Sequence, residues 1–159
     1  MPNWCSNEVE IYGKEEDIAK FVDECFTDFK TARNKMKAEP VKVLDFGKVL
    51  PEPDYDKPKK DGTHNNGVQT ELSFAMPDWW DWRNTNWGTK WNLVPNHGGD
   101  LTSYDVTAQG DGYMQLVFDT AWSPPNGIYE AIVEKYPDLD INWFYREDGC
   151  QMAGWLPYD

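Results

Sequence analysis

Tryptophan and basic side chains cluster in residues 78–91, and their types and spacing suit ring stacking and protein contact. In the string Asn-Trp-Gly-Thr-Lys-Trp, Trp87 and Trp91 stand four residues apart, so on a helical turn both indoles would point the same way. Two such indoles beside Lys90 form a platform on which a base, a sugar or a peptide ring can stack. The alternative is structural: both indoles close over a sheet face or edge as a latch, while Lys90 pairs with an acid.

The preceding string, Asp-Trp-Trp-Asp-Trp-Arg at residues 78–83, mixes indoles with carboxylates. Trp and Arg are the residue types most enriched among the energetically dominant contacts of protein interfaces. This pattern indicates a protein-binding patch, with packing of the segment itself as the alternative. We therefore take the following as candidate partner- or ligand-binding residues: Trp79, Trp82, Arg83, Trp87, Lys90, Trp91 and Trp122.

Residue types that carry catalysis or bind metals are sparse. Ser123 is followed by two prolines, which favours a helix N-cap over a nucleophile, because a nucleophile elbow usually has the pattern Gly-x-Ser-x-Gly. The two histidines, His64 and His97, stand in predicted loops without metal-ligand spacing. We predict no catalytic residue, no metal ligand and no cofactor.

The charge balance restricts the partners. The net charge is −13, and residues 61–159 contribute −11 because they hold 4 basic and 15 acidic residues. Such a surface repels phosphates, so we expect neither direct nucleic-acid binding nor attachment to an anionic membrane. The three cysteines, an odd number with no Cys-x-x-Cys pair, favour a reducing compartment. With no apolar run long enough to span a bilayer and no secretory signal at the start, we expect a soluble cytoplasmic protein.

Hydrophobic periodicity predicts the elements that must position these side chains. It indicates strands over residues 7–12, 103–108, 113–122, 140–147 and 151–156, and helices over 15–29 and 124–136. The stretch 78–99 is too irregular for a long helix. The order βαββαβ predicts an α+β, ferredoxin-like antiparallel sheet with two helices on one face and an extra C-terminal strand. We expect residues 1–159 to form a single domain with a Trp-rich insertion at about residues 30–100.

Five strings of the chain are distinctive: Met-Pro-Asn-Trp-Cys at the start, Leu-Pro-Glu-Pro at 50–53, Asn-Trp-Gly-Thr-Lys-Trp at 86–91, Thr-Ala-Trp-Ser-Pro-Pro at 120–125 and Tyr-Pro-Asp-Leu at 136–139. Together they resemble a family of phage- and plasmid-borne proteins with a ferredoxin-like domain. The resemblance covers almost the whole chain. It implies the topology, without an iron–sulfur cluster, and a mobile-element origin in a bacterial host, whereas function has to be argued from the site.

Two function classes follow from these observations. The first is a non-enzymatic protein whose acidic, Trp-containing surface binds a basic surface of a host protein. In its most concrete form this is a nucleic-acid mimic that inhibits a host defence protein. The second is a binder of a small ligand or nucleotide, or an enzyme acting on one. In it Trp87, Trp91 and Trp122 would stack the ligand, while Arg83 and Lys90 would hold its charge.

Overall fold

A five-stranded antiparallel sheet organises the computed structural model, which describes residues 3–29, 41–55, 78–94 and 104–158. The strands of this sheet are β1 (Trp4–Tyr12), β4 (Tyr104–Gly110), β5 (Tyr113–Ala121), β6 (Asp140–Glu147) and β7 (Met152–Leu156), in the spatial order β4-β5-β1-β6-β7. The helices are α1 (Glu15–Cys25), α2 (Phe46–Val49), α3 (Asp78–Asn86) and α4 (Asn126–Lys135). A separate two-stranded sheet joins β2 (Phe26–Phe29) to β3 (Val41–Leu44).

The topology confirms the predicted ferredoxin-like fold. Strands β1, β4, β5 and β6, with α1 after β1 and α4 after β5, form a βαββαβ unit in which β1 lies between β5 and β6. Strand β7 extends the sheet beside β6, as the predicted extra C-terminal strand. The register places Val9 opposite Leu116 on β5 and opposite Trp143 on β6, so the central strand is paired along both edges.

The core lies between one face of this sheet and the helices. Along β1, side chains alternate strictly, so that Cys5, Asn7, Val9 and Ile11 are buried while their neighbours point the other way. Buried residues of α1, α2 and α4 belong to one core cluster, which is therefore on one side of the sheet, and the half-buried Trp82 of α3 packs against it. These buried residues are Ile18, Phe21, Cys25, Phe46, Ile128 and Ile132. The opposite face carries none of the described helices.

The structure corrects the predicted end of the first helix. The spacing of Phe26 and Phe29 fits a continued helical stripe, but α1 ends at Cys25 and residues 26–29 form β2. The backbone N–H of Phe26 donates to the carbonyl of Val22 and closes the helix. From there Phe26 pairs with Leu44 of β3. The partner strand lies far along the chain, so local periodicity does not reveal it.

Residues 78–86 form the nine-residue helix α3, in the stretch that was predicted to be too irregular for a long helix. One further local prediction was wrong. Ser123 is not the cap of the second long helix, because α4 begins at Asn126 and its N-cap position is Pro125. The hydroxyl of Ser123 instead donates to the carbonyl of Gly88, so that it connects the end of β5 to the segment after α3.

Among the described residues, no helix is both long and apolar enough to cross a membrane. The predicted loop around His64 and the stretch that holds His97 lie outside the described residues.

Candidate functional site

The tryptophan string that follows α3 is divided between the core and the surface. Trp87 is fully buried, its indole N–H donates to the carbonyl of Leu50 at 2.9 Å, and its ring meets Phe46 edge-on at 5.8 Å. Gly88 then adopts a φ of +93°, a value that favours glycine, and the chain leaves the helical path. Trp91 is consequently 40% exposed. The helical spacing predicted that the two indoles would point the same way, but one lies in the core and the other at the surface.

Trp91 reaches the end of the central strand. Its ring centroid lies 6.0 Å from that of Trp4, the first residue of β1, and the ammonium of Lys90 lies 4.4 Å from the Trp91 ring centroid. Lys90 therefore makes a cation–π contact, where the structural alternative had paired it with an acid. Thr89 fixes this turn by donating its hydroxyl to the carbonyl of Ala121. The segment 87–91 thus passes from the core to the rim of the sheet.

Arg83 is held by structural contacts. Its guanidinium forms an ion pair with the carboxylate of Glu52, and it lies 5.0 Å from the ring centroids of both Trp79 and Trp87. Its Nη1 also donates to the carbonyl of Lys90. Through these contacts Arg83 connects residues 52, 79, 87 and 90. Trp82, the preceding residue, is half-buried and packs against the core.

Trp122 is the remaining predicted site residue and is 48% exposed. It follows β5 with a φ of +69°, and its backbone N–H donates to the carbonyl of Asn3. Because Trp87 is buried and Arg83 is engaged with Glu52, the structure does not assemble Trp87, Trp91, Trp122 and Arg83 around one ligand. Of the seven residues, the structure brings Trp91 and Lys90 to the rim of the sheet. Trp122 is exposed at the position that directly follows β5.

The uncovered face of the large sheet concentrates carboxylates. Alternation and register place five on it, from four neighbouring strands; we call this set the acidic sheet face: Glu8, Glu10, Asp105, Asp119 and Asp140. The described strands add one basic side chain to this face, Arg146, which is opposite Ser6. Its Nε lies 3.0 Å from a carboxylate oxygen of Asp148, so its charge is already paired. The field over this face is therefore negative.

Aromatic rings occupy the same face, between and beside the carboxylates. Phe144 lies opposite Glu8 and meets Trp155 of β7 with a centroid distance of 5.2 Å, and Trp155 is 61% exposed. Tyr12 and Tyr113 meet at 4.9 Å at the far end of β1, and Trp4 stands at its start. None of these five rings was among the predicted site residues. Part of the signal was present in β1, where the outward positions predicted for Glu8 and Glu10 also fix that of Tyr12, whereas Trp4 precedes the predicted strand, which began at residue 7.

Tyr12 shows that rings and carboxylates on this face interact. Its hydroxyl donates to Oε2 of Glu10 at 3.2 Å. The pKa of Tyr12 is raised, first by partial desolvation and then by this hydrogen bond to a negative group. The tyrosine therefore stays neutral and remains a donor at physiological pH.

The described thiols are held protonated. Burial raises the pKa of Cys5 to about 11 and also raises that of Cys25, whose Sγ contacts the hydroxyl of Tyr136 at 3.3 Å. A hydrogen bond to Glu147 raises the pKa of Cys150. Thiolate is the nucleophilic form of cysteine, so these environments do not activate it. Within the described part of the chain, no group of three or more His, Cys, Asp or Glu side chains is placed to hold a metal.

The comparisons with known proteins agree with the topology. Residues 103–159 match the model of the ferredoxin-like domain in Api92-like proteins. This matched region contains β4 through β7 and so four of the five strands of the large sheet. The crystal structure of a protein api92 from Yersinia pseudotuberculosis superposes on 98% of this chain and 93% of its own, with a TM-score of 0.57 and 11% identity, which supports the fold alone.

A curated relative is similar in sequence over part of its length. The protein YubB of Escherichia coli strain K12, described as uncharacterized, is 26% identical over 94 residues. The alignment spans 59% of this chain and 60% of YubB. The comparisons thus support the fold of this chain, and none of these proteins is described with an activity.

Proposed function

We propose that this chain is a non-enzymatic binding protein that docks its acidic sheet face onto a basic surface of a partner protein. The observation that supports this is the joint placement of five carboxylates and five aromatic rings on the one sheet face that carries none of the described helices. Carboxylates steer a positively charged partner and set the orientation of docking. Exposed rings such as Trp155 supply contact area, because aromatic residues dominate the binding energy of interfaces.

The partner class follows from the same charges. A protein that normally holds nucleic acid has a surface on which Lys and Arg meet phosphates. Carboxylates at successive outward positions of neighbouring strands present negative charge to such a surface in place of phosphates. The specific form of our proposal is therefore a nucleic-acid mimic that blocks a host protein, and we propose a defence protein as the host target, in keeping with the mobile-element origin that the sequence resemblance implies.

The experiment compares two triple variants of equal charge. The first neutralises the acidic sheet face on three strands, by Glu8→Gln, Asp105→Asn and Asp140→Asn. The second neutralises three exposed carboxylates on the helices, by Glu16→Gln, Asp23→Asn and Glu134→Gln, so both reduce the net charge of −13 by the same three units. Each is titrated with a deca-arginine peptide and with a neutral Gly-Ser peptide of equal length, at low and at moderate salt.

We expect the sheet-face variant to bind deca-arginine about tenfold more weakly than the helix variant, since three partly screened charge contacts contribute roughly that much. Amide chemical shifts perturbed by the peptide should map to β1, β5 and β6. Retention of a host protein by the helix variant, and its loss with the sheet-face variant, would extend the result to a natural partner. Equal weakening by both variants would mean that only total charge matters, and it would overturn the proposal.

A further inference from the structure

Strand β7 lies at one edge of the large sheet, and in the part of the chain that the structure describes it pairs with β6 alone. Its residues, Met152–Leu156, include no charged side chain and no proline, and its register with β6 runs without a bulge. Charges, prolines and bulges are the features by which natural proteins keep an edge strand from pairing with another chain. Strand β7 therefore lacks the usual protection of an edge.

The other edge strand, β4, is different. It carries the exposed carboxylate of Asp105, and its register with β5 shifts between Val106 and Ala108. A charge and an irregular register both disfavour the addition of a further strand. The contrast between the two edges identifies β7 as the one suited to pairing.

The alternation of hydrogen bonds across the sheet shows which backbone groups of β7 point outward. In an antiparallel pair, opposed residues alternate between exchanging both backbone hydrogen bonds and exchanging none. At the two ends of β1, the backbone N–H of Trp122 donates to the carbonyl of Asn3, and that of Gly13 donates to the carbonyl of Gly112. Odd-numbered positions of β1 therefore bond to β5, and even-numbered positions bond to β6.

The same alternation continues to the edge of the sheet. Even-numbered positions of β1 lie opposite even-numbered positions of β6, so the odd-numbered positions of β6 bond to β7. Tyr145 is one of these and lies opposite Gly154. The backbone N–H and C=O groups of Ala153 and Trp155 consequently point away from β6, toward the outer side of the sheet.

These outward groups make the edge complementary to itself. A two-fold axis at Gly154 places Ala153 opposite Trp155 of a second copy, where the two residues exchange both backbone hydrogen bonds. The axis repeats this pair, so both outward residues of each copy are satisfied. On the uncovered side of the sheet, the small Ala153 leaves room for an indole that is 61% exposed. On the other side, Met152, which is 41% exposed, comes opposite Leu156 of the second copy.

The charge distribution also favours a meeting at β7. Each chain has a net charge of −13, so two copies repel each other wherever their carboxylates come close. Strand β7 brings no charged side chain to the contact. Arg146 lies opposite Ala153 within its own sheet, so pairing brings Trp155 of the second copy into the same cross-strand row as a guanidinium. A cation and an indole attract each other.

We propose that β7 pairs antiparallel with β7 of a second copy of this chain, so that the two large sheets join into one. A pairing of five residues, about 17 Å long, is small for a specific interface, so the dimer is weak and forms at high concentration. The two-fold axis places both acidic sheet faces on the same side of the joined sheet. This doubles the surface offered to a basic partner, although the pairing itself does not depend on that function.

Sedimentation equilibrium of the intact chain, from micromolar to millimolar concentration, measures the association. We expect the average mass to rise from that of the monomer toward twice that value. Backbone amide exchange identifies the surface: Ala153 and Trp155 should exchange fast in dilute solution and slowly in concentrated solution, while Gly154 stays slow in both. Moderate salt should strengthen the dimer, because it screens the repulsion between two negative chains, whereas it should weaken the binding of deca-arginine. The two proposals can therefore fail independently.

Two variants of β7 and one control test the geometry. Ala153→Pro removes an outward N–H and no hydrogen bond to β6, and proline is tolerated at such edge positions. Trp155→Lys replaces the indole with the charge that protects natural edges, and it carries the test even if the proline variant is unstable. Val133→Lys on α4 is the matched control, because Val133 is also exposed and the variant gains the same charge away from β7.

We expect both β7 variants to weaken the association by about tenfold or more, since each dimer contains every lost contact twice, and the control not to weaken it. A parent chain that stays monomeric up to millimolar concentration would overturn the proposal. If an added host protein then protected the amides of Ala153 and Trp155, the edge would belong to a foreign strand instead. Undiminished association of Ala153→Pro, or equal weakening by Val133→Lys, would also overturn the proposal.

Discussion

The two faces of the large sheet are formed by the same strands, yet their side chains meet different surroundings. On the covered face, Val9, Phe118 and Trp143 are buried against the helices. On the uncovered face, Glu8 stands between Val117 and Phe144, and Trp155 remains largely exposed. The covered face accounts for folding, because burial of apolar area is its main driving force. The rings of the uncovered face add little to that burial, which leaves them available for a partner.

The strongest way to sharpen this comparison is to truncate one indole in each environment. Trp87→Ala removes a fully buried ring and its hydrogen bond to Leu50, and should cost about 3–5 kcal/mol of unfolding free energy, as for other large core truncations. Trp155→Ala on the uncovered face should cost less than about 1 kcal/mol. Urea denaturation followed by circular dichroism measures both. A similar loss for the two variants would show that the uncovered face also supports the fold.

A second test concerns the contact between α3 and α4. A Cβ at Gly127 would lie against the carbonyl oxygen of Asn86, closer than any non-bonded contact allows, so Gly127→Ala must push the two helices apart. We expect a loss of about 1–3 kcal/mol, the usual cost of overpacking. Gly110 at the end of β4 has no atom within 4 Å of its would-be Cβ, so Gly110→Ala is the matched control and should be near neutral. Equal stability of the two variants, measured by thermal unfolding, would contradict this packing.

The third test compares adjacent residues of β1. Asn7 is buried and donates to Thr120 Oγ1 at 2.9 Å, while its Oδ1 accepts from the indole N–H of Trp143 at 3.0 Å. Asn7→Leu leaves the buried Thr120 hydroxyl and Trp143 indole N–H without their hydrogen bonds to Asn7, and it should cost about 1–3 kcal/mol of unfolding free energy. Ser6→Ala on the uncovered face should change the unfolding free energy by at most about 0.5 kcal/mol.

Hydrogen exchange of the Trp143 indole gives a specific readout of this bond. Exchange should accelerate in Asn7→Leu and stay slow in Ser6→Ala. Unchanged protection in the leucine variant would show that Asn7 does not hold the indole.

These pairs also show how far the sequence predicts the fold. The alternation of Val9 and Ile11 with Glu8 and Glu10 assigns both faces of β1, and the βαββαβ order follows from similar local signals. The sequence does not predict strand β2, because Phe26 fits the apolar stripe of a helix as well as a strand. Its pairing with Leu44 shows that it belongs to a strand. Non-local pairing of this kind is absent from local periodicity.

The site was less predictable than the fold for the same reason. The helical interpretation of Trp87 and Trp91 requires a helix through both, but α3 ends at Asn86 and the positive φ of Gly88 redirects the chain. The acidic sheet face depends on register: Asp119 joins Glu8 only because β5 pairs with β1 in a particular alignment. A one-residue slip would turn Asp119 toward the core, so the long-range pairing of β5 with β1 decides which carboxylates come together on this face.

The smallest expected effect concerns Glu147, which lies on the covered face at the end of β6. Its carboxylate accepts from the backbone N–H groups of Gly149 and Cys150 at 2.8 and 2.7 Å. The hydrogen bond from the Cys150 thiol, together with these amides, holds the pKa of Glu147 below its usual value of 4.5. A depressed pKa in the folded state contributes stability that is present above the usual value and is lost as the pH falls below it.

Glu147→Gln should therefore be less stable than the parent chain at pH 7, and the difference should shrink as the pH is lowered through about 4 toward 3. Thermal unfolding across this range, in a constant salt concentration, measures the difference. Asp148→Asn is the neighbouring control, since its partner Arg146 and Asp148 itself are largely exposed and such pairs contribute little. A deficit of Glu147→Gln that stays constant from pH 7 to pH 3 would mean that shape, and not the charge of this carboxylate, holds the turn between β6 and β7.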